Sequence, residues 1–421
     1  MAESGRLVVI GLGYVGLPLA ERAVQVGWSV HGLDTCARTV SALAAGESHV
    51  DDISAAQVRA MLDRGFVPTT DESCLDTADV VVICVPTPLS VDGAPDLSAV
   101  HAAAQAVARH AHPGQLVVLE STTYPGTTEE VLVPLLEASG LVVGVDVHCA
   151  FSPERIDPGN AVFTLVNTPK IVGGITPACT DRAEAFYGGL VDTVVRAKGA
   201  REAEMTKLLE NTYRHVNIAL VNEMARFCHE LRIDLWDVIA CASTKPFGFS
   251  PFFPGPGVGG HCIPIDPNYL SHRVKTNLGF PFRFVELAQE INASMPAYVA
   301  RRVQDLLNEH GKAVKGSRAL LLGVTYKADI ADQRESPATA VAAALMDLGA
   351  DVAFHDPLVS TWQVRDLVLP RVDHLDRAMA DSDVIVLLQA HRDYRTLVDR
   401  LPGVPLLDTR GILSGPGVTR L

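Results

Sequence analysis

Cys262 stands in the stretch FFPGPGVGGHCIPIDP, residues 252–267, where four glycines and four prolines surround one His-Cys pair and Asp266 follows four positions on. A thiolate in such a loop is a nucleophile. The Gly-rich backbone would give a small ligand access to N–H groups and to the sulfur. A thiolate that attacks an aldehyde carbon forms a thiohemiacetal; loss of hydride from that adduct leaves a thioester, which water opens. The bland alternative is a small buried hydrophobe, the common fate of a free Cys.

Other residue types suit the same chemistry. Lys207 and Asn211 are four apart in a helical pattern and so share a face. An ammonium and an amide can donate to a developing oxyanion, although a solvated Lys on an exposed face reads the same way. FSPERIDPGN (151–160) closes an apolar run with Glu154, Arg155 and Asp157, and Glu154 is a candidate to position water or act as a base. LESTTYPGTT (119–128) closes another with four Thr and a Ser, Thr122 among them. Either segment can also be ordinary helix-capping and turn chemistry. Lys245, Lys327, Arg334 and Arg410 are cations near strand ends, of the kind a diphosphate needs; each singly reads equally as a surface residue.

These residues need elements to hold them. VVIGLGYVGLPLAERA places Gly11, Gly13 and Gly16 in a G-x-G-x-x-G spacing between an apolar strand and a helical pattern. Such glycines permit a tight turn, close approach of a pyrophosphate and close helix–strand packing, with the phosphates at the helix N-terminus. The next strand ends at Asp34, an acid placed to bond ribose hydroxyls and repel a 2′-phosphate, which favours NAD over NADP. Apolar runs at 6–11, 29–34, 79–88, 115–122, 142–153 and 169–174 alternate with helical patterns, predicting a parallel sheet covered on both faces. In such a sheet the ligand sits at the carboxyl ends of the strands, which points Thr122 and Glu154 into one crevice. From Arg201 to Leu231 there is no Gly or Pro, and Met205, Leu208, Leu209, Thr212, Val216, Ala219 and Leu220 recur at helical spacing. One long helix is predicted there, with a second helical stretch near 284–310 and a linker at 311–317. Strand-like runs at 318–326, 350–357, 383–391 and 404–410 then predict a second α/β unit without the glycine fingerprint. The fold class is α/β, with two Rossmann-like doubly wound domains joined by a central helical region. The expected division is 1–198, 199–310 and 311–421.

The composition narrows the classes. The chain has 421 residues, 48% hydrophobic and 20% charged, with a net charge of −14. That is a globular protein with ample core, and its field disfavours nucleic acid and anionic membranes. Eight Cys are scattered with no C-x-x-C pair or zinc-like spacing, which reads as reduced and cytoplasmic with no metal. No apolar run is long enough to span a membrane.

Taken in order, GLGYVGLPLA, VPTP, ESTTYPGTT, SPERIDPGN, EMTKLLENTYRHVNIALVNE, STKPFG, GPGVGGHCIPIDPNYL and GVTYKADIADQRESP resemble the UDP-glucose/GDP-mannose dehydrogenase family of nucleotide-sugar 6-dehydrogenases nearly end to end. The resemblance implies four-electron oxidation of the C6 alcohol of a nucleotide hexose to the carboxylate with two NAD. It also implies a C-terminal domain that binds the UDP part, and pairing of subunits through the central helix into a homodimer or larger homo-oligomer. It makes Cys262 the nucleophile and Lys207 and Asn211 the oxyanion donors. Glu154 becomes the residue assisting thioester hydrolysis, Asp266 the acid paired with the Cys loop, and Thr122 a neighbour of the hydrolytic water. Tyr14, Val15, Pro86, Thr87 and Thr122 join Gly11, Gly13, Gly16 and Asp34 around the cofactor. Arg155, Gly259, Gly260, Lys327, Arg334 and Arg410 fall to the substrate. Relatives acting on UDP-glucose tend to carry a Lys before the Asp of the Cys loop, and this chain has Ile265 there. Its H-C-I-P-x-D-P form is more similar to the UDP-N-acetylhexosamine branch, with UDP-GlcNAc the expected substrate. UDP-glucose and UDP-ManNAc are the alternatives; UDP-ManNAc enzymes tend to have Ala where Pro264 stands. Asn268 replaces an aromatic frequent in relatives. A hexosaminuronic acid product suits polysaccharide biosynthesis. A two-electron dehydrogenase would need no such Cys, and a non-catalytic sensor would not need all of Cys262, Lys207, Asn211, Glu154 and Asp266.

Overall fold

The computed structural model describes residues 5–50, 52–90, 94–157, 160, 162–260, 263 and 265–421. The chain divides into two compact units, Met1–Glu210 with Asn268–Phe280, and Asn211–Pro267 with Pro281–Leu421.

In the first unit, β1 (Arg6–Ile10), α1 (Gly16–Gln25), β2 (Ser29–Leu33), α2 (Ala37–Ala44), α3 (Ala55–Asp63), β3 (Val67–Thr69), β4 (Val80–Ile83), α4 (Ser98–His110), β5 (Leu116–Leu119), α5 (Val133–Glu137), β6 (His148–Phe151), β7 (Lys170–Gly174), α6 (Pro177–Gly188) and β8 (Val194–Arg196) follow in turn. The strands form one eight-stranded sheet in the order β3-β2-β1-β4-β5-β6-β7-β8. The β1 sequence RLVVI is apolar at successive positions because both faces are covered. Leu7 and Val9 enter one core layer with Leu17, Ala20 and Val30, while Val8 and Ile10 enter the other with Val100 and Val117.

β1 to β6 are parallel, but β7 pairs with β6 antiparallel, with Phe151 opposite Gly173. The uniformly parallel sheet expected from the alternation therefore ends at β6. Among the described residues the connection from Phe151 to Lys170 holds no helix, the usual crossover that returns a strand parallel. The apolar run at 142–153 yields a strand only over its last part; Gly144 at φ +88° turns the chain before it.

The long helix α7 (Ala200–Glu230) and α8 (Leu235–Ser243) precede α9 (Asp266–Leu278) and α10 (Arg283–Glu309). The second unit continues with β9 (Arg318–Leu322), α11 (Pro337–Asp347), β10 (Asp351–His355), a short hairpin of β11 (Gln363–Val364) and β12 (Leu367–Val368), α12 (Leu375–Ala380), β13 (Val384–Leu387), β14 (Leu406–Asp408) and β15 (Val418–Arg420). Its sheet, β10-β9-β13-β14-β15, is parallel throughout. Asp234 and Ser336 cap α8 and α11 by accepting from backbone N–H groups in the first turn. Among the described residues no helix is long and apolar enough to cross a membrane.

The start of α7 is fixed by close backbone approach. A Cβ on Gly173 of β7 would lie 2.1 Å from the Gly199 carbonyl oxygen and 2.6 Å from its carbon. Gly173→Ala should lower stability by about 1–3 kcal/mol, as overpacking does, read as a fall in Tm at unchanged secondary structure.

Candidate active site

The glycines after β1 are required by geometry, each for its own reason. Gly11 has φ +91°, and a Cβ there would lie 2.6 Å from the Cys84 carbonyl oxygen. A Cβ on Gly16, the first residue of α1, would lie 1.9 Å from the Gly11 carbonyl oxygen. At Gly13 a side chain would meet no protein atom within 4 Å, so its absence serves whatever approaches the exposed turn. Tyr14 and Val15 are half-buried beside it. Asp34, just past β2, is held by its neighbours: Leu12 N–H donates to Oδ2 at 3.0 Å and Cys36 N–H to Oδ1 at 2.8 Å. Pro86 and Thr87 follow β4, and the Thr87 carbonyl accepts from the Tyr269 hydroxyl at 2.8 Å. This cradle fits a dinucleotide: a bare turn at a helix N-terminus for phosphate and an oriented carboxylate for ribose.

Because β1, β2, β4, β5 and β6 are parallel, Gly11, Asp34, Thr87, Thr122 and Glu154 all follow carboxyl ends on one edge of the sheet. Thr122 is half-buried. Glu154 accepts from the Ile156 N–H. Beneath it lie charges that sequence reasoning did not find. Glu120 is 1% and Lys170 3% exposed. Lys170 Nζ stands 2.9 Å from Glu120 Oε2 and 4.0 Å from Glu154 Oε2. Tyr187 donates its hydroxyl to Glu120 Oε1. Burial raises the Glu120 carboxyl while Lys170 pulls it down, and burial pushes the nearby Cys84 thiol well up. The available signal was an ionisable residue directly at the end of an apolar run, as in VVLE and KIVGG.

Glu204, on the first turns of α7, clamps the segment after Thr122. Its carboxylate accepts from the Gly126 and Thr128 N–H groups and the Thr128 hydroxyl, the last two at 2.8 and 2.7 Å. Burial raises it to about 7 against those bonds. Lys207 is 7% exposed, so it is no solvated surface residue. Arg155, expected at the substrate, is committed elsewhere within its unit: it donates to Glu210 at 2.7 and 3.3 Å and to the Pro169 carbonyl at 2.6 Å.

In the second unit, Asn211 Nδ2 donates to Asp266 Oδ2 at 2.5 Å, and the two are 8% and 2% exposed. Cys262 and His261 lie outside the described residues; the loop leading to them does not. Asn222 Oδ1 accepts from the Gly255 N–H at 2.9 Å, and Asn222 Nδ2 donates to Asn292 Oδ1 at 2.9 Å. Asn292 in turn donates to the His215 carbonyl at 3.3 Å. A Cβ on Gly259 would lie 2.6 Å from the Glu335 carbonyl oxygen, and one on Gly260, at φ +87°, 2.8 Å from the Tyr326 ring. These glycines thus seat the loop on the segment after β9 as well as baring its backbone. Arg410 donates to the Leu388 carbonyl at 2.7 Å, and its Nη1 would be 3.1 Å from a Cβ on Gly255; burial lowers it to about 10, against the pull of Asp408. Lys327 is half-buried. Arg334 is exposed and forms a bidentate pair with Asp332 at 2.7 and 2.9 Å.

The family patterns of the UDP-glucose/GDP-mannose dehydrogenases match in three parts: the NAD binding domain at residues 5–191, the central domain at 201–294 and the UDP binding domain at 320–415. The chain is 34% identical to a UDP-N-acetyl-D-mannosamine dehydrogenase of Methanococcus maripaludis, over 97% of this chain and 93% of that protein. It is 35% identical to an NDP-N-acetyl-D-galactosaminuronic acid dehydrogenase of Ralstonia solanacearum, over 96% of each. A UDP-D-ManNAc dehydrogenase structure from Pyrococcus horikoshii superposes with a TM-score of 0.89 at 32% identity, covering 99% of this chain and 98% of that one.

The raised Glu204 carboxyl gives a pH prediction. The folded state holds its proton more tightly than the unfolded chain, so stability contributed below about pH 4.5 is lost as pH rises through about 7. Relative to Glu204→Gln, the native protein should lose Tm between pH 5 and pH 8, with a slope of at most about 1.4 kcal/mol per pH unit.

Proposed function

Because the chain belongs to the UDP-glucose/GDP-mannose dehydrogenase family and is an NAD-dependent nucleotide-sugar 6-dehydrogenase, we propose that it oxidises the C6 hydroxyl of a UDP-N-acetylhexosamine to the uronic acid in four electrons. Bound NAD supplies the hydride acceptor. The residues of the chain do the rest. The alcohol loses a hydride and a proton to give an aldehyde. The Cys262 thiolate adds to the aldehyde carbon, and the resulting thiohemiacetal loses a second hydride to a second NAD. Water then breaks the thioester C–S bond, returning the thiol. One alcohol, two NAD and one water thus become one carboxylate, two NADH and three protons. Lys207 and Asn211 hold the oxyanion, and Glu154, with Thr122 nearby, assists the water.

The observation that carries this reading is the buried polar pair on α7. Lys207 and Asn211 stand one turn apart, and Asn211 is anchored on Asp266, four residues past Cys262. Burying an ammonium and an amide is costly unless they are paired, and donors held there are of the kind that stabilises developing negative charge. We assign NAD to 1–198, the Cys loop and dimer contact to 199–310, and the UDP part to 311–421, with Lys327 and Arg410 toward the diphosphate. Pairing of two copies is supported by exposed Leu220, Phe227 and Leu231 on or beside α7 and Phe284 and Leu287 on α10, an apolar load unusual for a free surface.

UDP-GlcNAc is the sugar the Cys loop favours, while the relatives named above carry mannosamine and galactosaminuronic names. UDP-GlcNAc, UDP-GalNAc, UDP-ManNAc and UDP-glucose should therefore be tested in parallel for NADH formed per sugar nucleotide. Two NADH with one acetamido sugar is expected; two with UDP-glucose alone would overturn the substrate class, and one would overturn the four-electron route. Cys262→Ser should abolish acid formation with NAD binding kept, measured by product analysis and by NAD titration.

A further inference from the structure

The reversal of β7 has a local effect at the site. With Phe151 opposite Gly173, continuing the antiparallel register sets Glu154 opposite Lys170. A parallel β7 would put its first residue at the other edge. As built, the strand delivers a buried ammonium, 3% exposed, to the edge where Glu154 sits. Glu120, directly after β5, stands 2.9 Å from the same ammonium. That contact is close enough for an ion pair but is not aligned as a hydrogen bond. The Lys170 Nζ also lies 5.2 Å from the centre of the Tyr187 ring.

A buried pair of this kind is poor value as a staple. Two desolvated charges cost several kcal/mol each, and apolar residues of similar volume hold a fold as well or better. Its distinctive effect is the field it exerts on the carboxylate beside it.

We infer that Lys170 is a positioning residue for Glu154, holding that carboxylate in place for the hydrolytic half of the reaction, with Glu120 and Tyr187 holding Lys170. This rests on the proposed role of Glu154. The charged groups set against Glu154 are Lys170 from β7 and Glu120 from the end of β5, with the Cys84 thiol after β4 nearby; Tyr187 from α6 bonds Glu120, and Arg155 beside Glu154 is turned to Glu210. Lys170 attracts and Glu120 repels a negative charge at that position, so replacing the one or the other should shift the acid limb of hydrolysis in opposite directions.

The test is the pH profile of thioester hydrolysis in the purified enzyme with NAD and its sugar nucleotide, followed by quenching and mass measurement of the acylated protein. Glu154→Gln comes first: accumulation of the acyl-enzyme is expected, and its absence would remove the role of Glu154 and this inference with it. Given accumulation, Lys170→Met should move the acid limb of the hydrolysis profile up by about one pH unit or more, Lys170→Arg should leave it near the native position, and Glu120→Gln should move it down. A slower hydrolysis with an unmoved limb, or limbs shifting the same way in Lys170→Met and Glu120→Gln, would show a merely structural pair and overturn the inference. Should Lys170→Met not fold, Glu120→Gln decides alone: a downward shift supports the inference, and an unmoved or upward limb overturns it.

Discussion

A parallel sheet can bury both of its faces but not its carboxyl edge, where every strand must turn into a loop. In the first unit that edge collects Gly11, Asp34, Thr87, Thr122 and Glu154 from five neighbouring strands. Each strand is a near-continuous apolar run sealed by helices, so polar groups are driven to the ends. The chemistry is where it is because the sheet leaves it no other place. Two charges that penetrate deeper beneath this edge, Glu120 and Lys170, do so as a pair.

The glycines work in two registers that share one residue type. At Gly11 and Gly16 a side chain would strike the chain's own backbone, so glycine is a condition of folding there. At Gly13 nothing of the protein is close, and glycine leaves room for a ligand. In the Cys loop, Gly259 and Gly260 press on Glu335 and Tyr326, which ties the stretch leading to Cys262 to the segment that also bears Lys327. Asn222, reaching across to Gly255, fixes the loop from the helical side.

What the sequence made legible follows from local pattern. Alternating apolar runs and the glycine spacing gave the two α/β units, and the long uninterrupted stretch from Arg201 gave α7. Asp34 could be placed because an acid at the end of a second strand has a local meaning. The reversal of β7 could not, since KIVGG reads the same in either direction and its orientation depends on how the preceding connection runs. Lys170, Glu120, Glu204 and Asn222 were missed for a related reason: each is explained by a partner far away in the chain, 50 residues off for Lys170 and Glu120, and distance in sequence hides such pairs. Arg155 and Arg334 show the converse. Both were expected at the substrate, yet Glu210 and Asp332 engage them.

The second unit carries a copy of the Asp34 arrangement. Gly323, at φ +78°, donates to the His355 carbonyl as Gly11 does to Leu33, and Val324 N–H reaches Asp356 Oδ2 at 2.7 Å as Leu12 N–H reaches Asp34. Leu358 N–H completes the match at 2.8 Å, where the first unit uses Cys36. The copy differs in one respect: His391 closes over Asp356 at 3.2 Å, and that acid has no exposed surface at all. Asp34 is half-buried at its strand end; Asp356 lies wholly inside the protein. Two halves of one chain built on the same plan thus part at a single carboxylate: sealed by His391, Asp356 serves as scaffold where Asp34 stays at the surface of its turn.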